Sequence, residues 1–163
     1  MSRVAAAKAR GLIPAEKIWL GVYFDREIAE GVSPPIAIRW VDDEVGRGVF
    51  AEKRIPPRAY VGEYTGVVSE QTPEEVKEKR YCIRYPVWDT PLSPFVIDAE
   101  EQGHFTRFLN HSERPNLYLQ SVYWRGMPRM IFTAAREIPS EAQLTFDYGS
   151  FFWKECGQRP KIL

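Results

Sequence analysis

The chain has 163 residues, 44% hydrophobic and 13% aromatic, which suits one globular domain with a sizeable core and excludes a disordered tail or a collagen-like fibre. Its 22 basic and 22 acidic residues cancel, so bulk charge points to neither nucleic acid nor a membrane surface. Two cysteines, Cys82 and Cys156, are too few for a disulfide framework or a four-cysteine zinc site, and a reducing interior, cytoplasm or nucleus, is the default address. Residues 1 to 17 carry Arg3, Lys8, Arg10 and Lys17 against Glu16, and read as a frayed arm or short helix without the long apolar centre of a signal peptide. Trp19 to Phe24 is aromatic and apolar and is expected to pack on the main body. Gly31 to Pro35 breaks the chain, and Ile36 to Val41 alternates like a strand.

Val49 to Ala51 and Ala59 to Tyr64 read as two strands of a hairpin-like unit, turning at Ile55-Pro56-Pro57, where proline forbids regular pairing. Thr72-Pro73-Glu74-Glu75 supplies a capping hydroxyl, a first-turn proline and carboxylates at the positive end of the dipole. These signals predict a helix over about 73 to 80, the only one marked clearly. Tyr81 to Val87 reads as a strand, Trp88 to Pro94 as a loop and Phe95 to Asp98 as a short strand. Leu117 to Trp124 and Arg129 to Thr133 flank a turn at Arg125 to Pro128, and Leu144 to Phe146 closes the set. Many short strands with one helix, and no βαβ rhythm, predict a mainly β fold and argue against a dinucleotide-binding one.

The stretch Gly103 to Asn116, GHFTRFLNHSERPN, sets Arg107, Asn110, His111, Ser112 and Asn116 around Phe105, Phe108 and Leu109. It is apolar enough to be buried, so its polar groups must find partners or bind something. Alone it reads as a turn whose Asn, His and Ser satisfy local backbone. It keeps company with Gly46-Arg47-Gly48-Val49, Glu63-Tyr64-Thr65-Gly66, Phe95-Val96-Ile97-Asp98-Ala99 and Gln143 to Gly149. Five blocks in this order resemble the SET-domain family of protein lysine methyltransferases, over residues 46 to 149.

The resemblance implies a SET-domain, β-clip-like fold: several small sheets, few short helices, and a C-terminal pseudoknot that brings Arg107 to Ser112 against Phe146 to Tyr148. It divides the chain into an N-terminal extension (1–35), a SET domain (36–150) and a short aromatic segment (151–163). It further implies a protein-lysine N-methyltransferase that uses S-adenosyl-L-methionine, releases S-adenosyl-L-homocysteine and needs no metal. The expected substrate is a lysine in a basic protein, a histone tail foremost, with DNA-associated or ribosomal proteins as alternatives and no direct contact to nucleic acid or membrane. An extended peptide would add along a strand edge. Glu100, Glu101, Glu113 and Asp89 are candidates for acidity facing such a peptide, or are simply solvated.

Residue by residue, Tyr148 matches the family's catalytic tyrosine and Tyr64 a second channel wall. Phe146 stands where phenylalanine or tyrosine limits how many methyls are added, and phenylalanine implies di- or trimethylation. Asn110 and His111 match the family's cofactor-holding pair, and Gly46, Arg47 and Gly48 its glycine-flanked turn. Tyr81 and Arg107 fall where further cofactor contacts occur. Taken singly, each tyrosine reads equally as core and Gly46 to Gly48 as a turn. Where many members carry a zinc-binding cysteine this chain has Glu113, and the C-terminal stretch offers only Cys156, so the zinc module is read as lost, as in compact bacterial or viral members. A bacterial source would leave secretion into a host cell open. Phe151, Phe152 and Trp153 are candidates to cover the cofactor in its place, with Trp153 a direct contact, or to pack on the core. Two rivals stay open: an idle SET-like module that binds peptide or cofactor, and a β-rich structural domain.

Overall fold

The structure is a computed structural model that describes residues 2–77, 79–90 and 92–156. Three helices come first, α1 (Arg3–Ala9), α2 (Ala15–Tyr23) and α3 (Asp25–Glu30). Then follow β1 (Ile36–Asp42), β2 (Gly46–Ala51), β3 (Tyr60–Glu63), β4 (Val67–Glu70), α4 (Pro73–Val76), β5 (Cys82–Arg84) and β6 (Phe95–Asp98). A 3-10 turn over Phe105–Phe108 leads into β7 (Asn110–His111), β8 (Leu117–Trp124), β9 (Met127–Ala134), β10 (Gln143–Phe146) and α5 (Gly149–Cys156). The strands form three small sheets, ordered β1-β2-β10-β7, β3-β9-β8 and β4-β6-β5. The mainly β fold of several small sheets is the one expected.

Three expectations need correction. The N-terminal region takes the short-helix alternative, the Ser2 hydroxyl accepting from the Ala5 amide to start α1. Trp19 to Phe24 packs through Leu20 and Phe24 as expected, but as α2 and its cap, so more helix is present than the one clearly marked. The strands at 49–51 and 59–64 do not form a hairpin with each other. Instead β2 pairs with β1 and β10, and β3 with β9, because the proline turn carries the chain away and Ile55 bridges to Ile138. Finally, α4 has its full capping box, Thr72 with Glu75, but ends at Val76 rather than residue 80. Beyond it Lys79 pairs with Asp98 at the end of β6 and delivers the chain into β5, and this pairing outweighs continuation of the helix.

The β8–β9 hairpin is the spine. It closes through a two-residue turn, Arg125 (φ 45°) and Gly126 (φ 90°), whose positive φ values suit the twist of the strands. Directly paired residues share a face. Leu119, Ser121 and Tyr123 therefore lie on one side with their partners Phe132, Met130 and Pro128, while Val122 and Ile131 lie on the other. The first face joins the main core with Val49, Val61, Leu109, Leu144 and Phe146. The second receives Phe24, Ile28 and Tyr60. Each fully buried aliphatic or aromatic side chain contributes about 1.5–3 kcal/mol.

Helix α2 approaches β8 through Gly21, where a Cβ would stand 1.9 Å from the Tyr123 carbonyl oxygen. The Trp124 indole and the Arg125 guanidinium both donate to Asp25 at the start of α3. We therefore expect Gly21→Ala to lose about 1–3 kcal/mol in urea unfolding, because the obstacle is backbone and cannot rotate away. An unchanged midpoint at unchanged m would show that α2 does not depend on this approach.

Candidate active site

The polar stretch 103–116 is answered by β10. Strand β7 pairs parallel with it, Asn110 opposite Thr145 and His111 opposite Phe146. The Ser112 amide donates to the Phe146 carbonyl at 3.1 Å. Asn116 acts as a staple: its amide nitrogen donates to the Gln143 carbonyl at 2.8 Å, and its side-chain oxygen accepts from the Thr145 amide at 2.9 Å. Its backbone N–H adds a bond to the Thr145 carbonyl. Asn110, His111, Ser112 and Asn116 can thus be buried without orphaned groups in this junction. The expected juxtaposition of Arg107 to Ser112 with Phe146 to Tyr148 is present.

Just past β10, the Tyr148 amide donates to His111 Nδ1 at 3.2 Å, and the Tyr148 hydroxyl donates to the Leu109 carbonyl at 2.8 Å. Asp147 approaches the same ring nitrogen at 3.7 Å. Strand β10 stops at Phe146, yet the Phe146 and Tyr148 rings lie 4.8 Å apart and both face one cavity.

That cavity has a volume of about 210 Å³ and is walled by Tyr64, Leu109, Leu119, Met130, Phe146 and Tyr148. Burial pushes the Tyr148 phenol well above the ordinary tyrosine range, and Tyr81 adds to the rise. Burial does the same to Tyr64, with Tyr148 as the next cause. Both phenols are neutral throughout the physiological range and serve as hydrogen-bonding groups, not as bases. Arg80, Arg84 and Arg107 are the charged residues lining the cavity. Glu100, Glu101 and Glu113 are exposed and do not line it, and Asp89 is engaged by Arg3. No acidic wall forms there among the described residues.

A second group of candidates gathers beyond His111. β10 pairs with β2 only through Phe50 and Val49, so Gly46 to Gly48 has β1 on one side and no strand on the other among the described residues. Asn110 reaches this strip, its amide nitrogen donating to the Arg47 carbonyl at 3.1 Å. At Gly48 a Cβ would lie 2.7 Å from Gln143 Nε2 and 3.1 Å from Asn110 Nδ2, so both side-chain ends would have to move aside. Gly46, at φ +77°, faces open space, and the buried Gln143 Nε2 has no hydrogen-bond partner. Open space, accessible backbone and an unanswered donor are what a polar ligand on this strip would use.

Arg47 and Arg107 sit over the Phe108 ring, at 5.7 and 4.8 Å, and Arg107 also covers Tyr81 while donating to the Ala99 and Glu100 carbonyls. Trp153 of α5 stacks on Tyr148, with centroids 5.7 Å apart and planes 15° apart, and meets His111 edge-on at 4.9 Å. Phe152 packs against Tyr148 at 4.7 Å. The side chain of Phe151 lies outside the described residues. Tyr64, Tyr81, Arg107, Asn110, His111, Phe146, Tyr148 and Trp153 are thus brought together around the β7–β10 junction, whereas the acidic candidates Asp89, Glu100, Glu101 and Glu113 do not line the cavity. Leu119, Met130 and the Leu109 carbonyl were not anticipated; the period-2 alternation of the hairpin was the signal for the first two. Among the described residues, no three His, Cys, Asp or Glu side chains are grouped to hold a metal ion.

A family profile described as SET domain matches residues 46–149, more than half of the chain. Histone-lysine N-methyltransferase EHMT1 of Homo sapiens is 32% identical over 119 residues, covering 71% of this chain and 9% of that protein. An H3 lysine-4 specific histone-lysine N-methyltransferase of Chaetomium globosum is also 32% identical over 119 residues, covering 71% and 11%. Histone-lysine N-methyltransferase SETD2 of Mus musculus is 33% identical over 110 residues, covering 65% and 4%. The chain thus spans only 4% to 11% of the length of these relatives.

Removing the staple should loosen the whole assembly. Asn116→Ala leaves a buried amide and a buried carbonyl unanswered, a loss of about 2–4 kcal/mol in urea unfolding. A loss below about 0.5 kcal/mol would show that the strands hold the junction without Asn116.

Proposed function

This chain belongs to the SET-domain family, and we propose that it is a protein-lysine N-methyltransferase that draws its methyl group from S-adenosyl-L-methionine. The observation that carries the reading is Tyr148: a neutral hydroxyl in an aromatic cavity, anchored by donation to the Leu109 carbonyl. The relatives' names, histone-lysine N-methyltransferases, favour a histone tail or another basic protein as the substrate.

When bound, S-adenosyl-L-methionine would supply a sulfonium-activated methyl carbon open to attack by an amine lone pair, with the carbon–sulfur bonding pair leaving on sulfur as S-adenosyl-L-homocysteine. The residues that would hold it are Gly46 and Arg47, which are open to solvent, with the buried Gly48 behind them, then Asn110, His111, Tyr81 and Arg107, with Trp153 as cover. The cavity's own task is with the lysine. A free lysine with a pKa of about 10.4 is cationic at neutral pH, and an apolar wall of Leu119, Met130, Phe146 and Tyr64 favours the neutral amine. Its proton is lost to water, since neither tyrosine is a base. Tyr148 spends its own proton on Leu109, so its oxygen lone pairs are free to accept from the amine and from polarised C–H groups. Holding the amine in one line by close walls is where much of the rate gain arises.

Phe146 sets the product. It brings no hydroxyl and no bound water into the cavity, which leaves room for an amine that already bears methyl groups, and the expected product is di- or trimethyl-lysine.

The test is transfer of labelled methyl from S-adenosyl-L-methionine to core histones, basic nucleoid proteins and whole lysate, with the labelled residue located by mass spectrometry. Wild type should label lysine, and Tyr148→Phe should lower kcat about 100-fold with cofactor affinity retained. Cofactor binding without any label would favour the idle module, and neither binding nor label would favour the structural domain. Phe146→Tyr should shift the product toward monomethyl-lysine; monomethyl product from wild type, unchanged in Phe146→Tyr, would overturn the assignment of Phe146.

A further inference from the structure

Strand β5 forms one wall of the cavity through Cys82, Ile83 and Arg84, and the chain runs from it directly into the 85–94 connection. The base of that connection is clamped. The Arg84 guanidinium donates to the Ser93 carbonyl, the Tyr85 amide to the Phe95 carbonyl at 2.8 Å, and the Tyr85 hydroxyl to the Pro128 carbonyl at 3.1 Å. Its tip reaches across to β8, where Trp88 packs edge-on against Tyr123 with centroids 6.4 Å apart. Tyr123 shares its strand face with Leu119, which lines the cavity four residues away. The connection therefore links β5 and β8, two strands whose side chains line the cavity.

This tip does not hold itself. Trp88 has φ 56°, a left-handed conformation that a bulky side chain adopts only when its surroundings enforce it. The enforcing contacts come from the other end of the chain. Arg3 of α1 grips Asp89 with two parallel bonds of 3.0 Å each, and its guanidinium also lies 5.7 Å over the Phe95 ring. Lys8, on the same helix, sits 4.9 Å over the Tyr123 ring, the ring on which Trp88 rests. Ala7, between them, is fully buried.

We propose that α1 is a latch on the substrate approach: Arg3, through Asp89, positions the 85–94 connection beside the lysine cavity and so sets affinity for the protein substrate. The inference rests on the methyltransferase reading for its functional half. Arg3 and Asp89 are positioning residues and touch none of the reacting groups. The far side of the assembly, Gly46 to Gly48 with Asn110 and His111, makes no contact with α1 among those described. Loosening the latch therefore acts on the protein substrate and leaves the cofactor alone.

The experiment is a double-mutant cycle of Arg3→Ala, Asp89→Ala and the pair, with kinetics on the protein that wild type labels and amide hydrogen exchange over residues 87–93. Each single variant should raise KM for the protein about fivefold, with kcat and KM for S-adenosyl-L-methionine within about twofold. The double variant should match Arg3→Ala, because the ion pair is already lost there and Arg3 alone also covers Phe95. Exchange in the tip should quicken equally in all three. Unchanged KM, additive effects or a loss confined to kcat would overturn the latch. An inactive wild type would defeat the methyltransferase reading instead, and unchanged exchange in the tip would by itself overturn the latch.

Discussion

The parallel pairing of Asn110 and His111 with Thr145 and Phe146 is the constraint on which the rest depends. Its partners lie 35 residues apart in the chain, with the whole β8–β9 hairpin between them, so neither segment can form the site alone. The pairing converts polar side chains that would be costly to bury into the fasteners of the fold. Asn116 holds both neighbours of Leu144, and Ser112 closes on Phe146. It also delivers Tyr148 to a point where its backbone is fixed by His111 and its hydroxyl by Leu109. Stability and chemistry share the same bonds here, and strain relief at one would be felt at the other.

Burial then decides what chemistry is available. In water Tyr148 would titrate in the alkaline range; in this cavity its charged form is penalised and the hydroxyl stays protonated. The neighbouring Tyr64 is held in the same state. A site walled by neutral phenols and apolar side chains, with the cationic Arg80, Arg84 and Arg107 among its lining, favours a neutral amine over an ammonium, and its tyrosines do not remove the proton. Phe152 and Trp153 of α5 pack on Tyr148, and Phe152 lines the cavity together with Cys82, Ile83 and Arg84 of β5.

Much of this was legible from residues alone, for identifiable reasons. Strands such as β6, β8 and β9 announce themselves as short runs of β-branched and aromatic residues bounded by turn residues, although the β8–β9 hairpin buries both of its faces. The site residues stood out because buried Asn, His and Arg demand partners. The helices α2 and α3 were not legible: α2 carries Gly21, Trp19 and Tyr23, poor helix formers, and its place is set by the close approach of Gly21 to Tyr123, a contact made 102 positions away in the chain. The pairing of β2 and β3 was misjudged because local pattern identifies a strand without naming its partner. Leu119 and Met130 carry no reactive group, and the part played by Leu109 is a backbone carbonyl, which no side-chain pattern displays.

The most direct measurement is the pH dependence of kcat/KM for methyl transfer to a lysine peptide between about pH 6 and 10. If the site contains no base and admits only the neutral amine, log kcat/KM rises with unit slope up to the pKa of free lysine, about 10.4, without a break. Tyr148, held protonated by burial, adds no limb of its own in that range. A plateau reached near neutral pH would reveal an enzyme group that takes the proton, and would contradict the account of the cavity as a neutral channel.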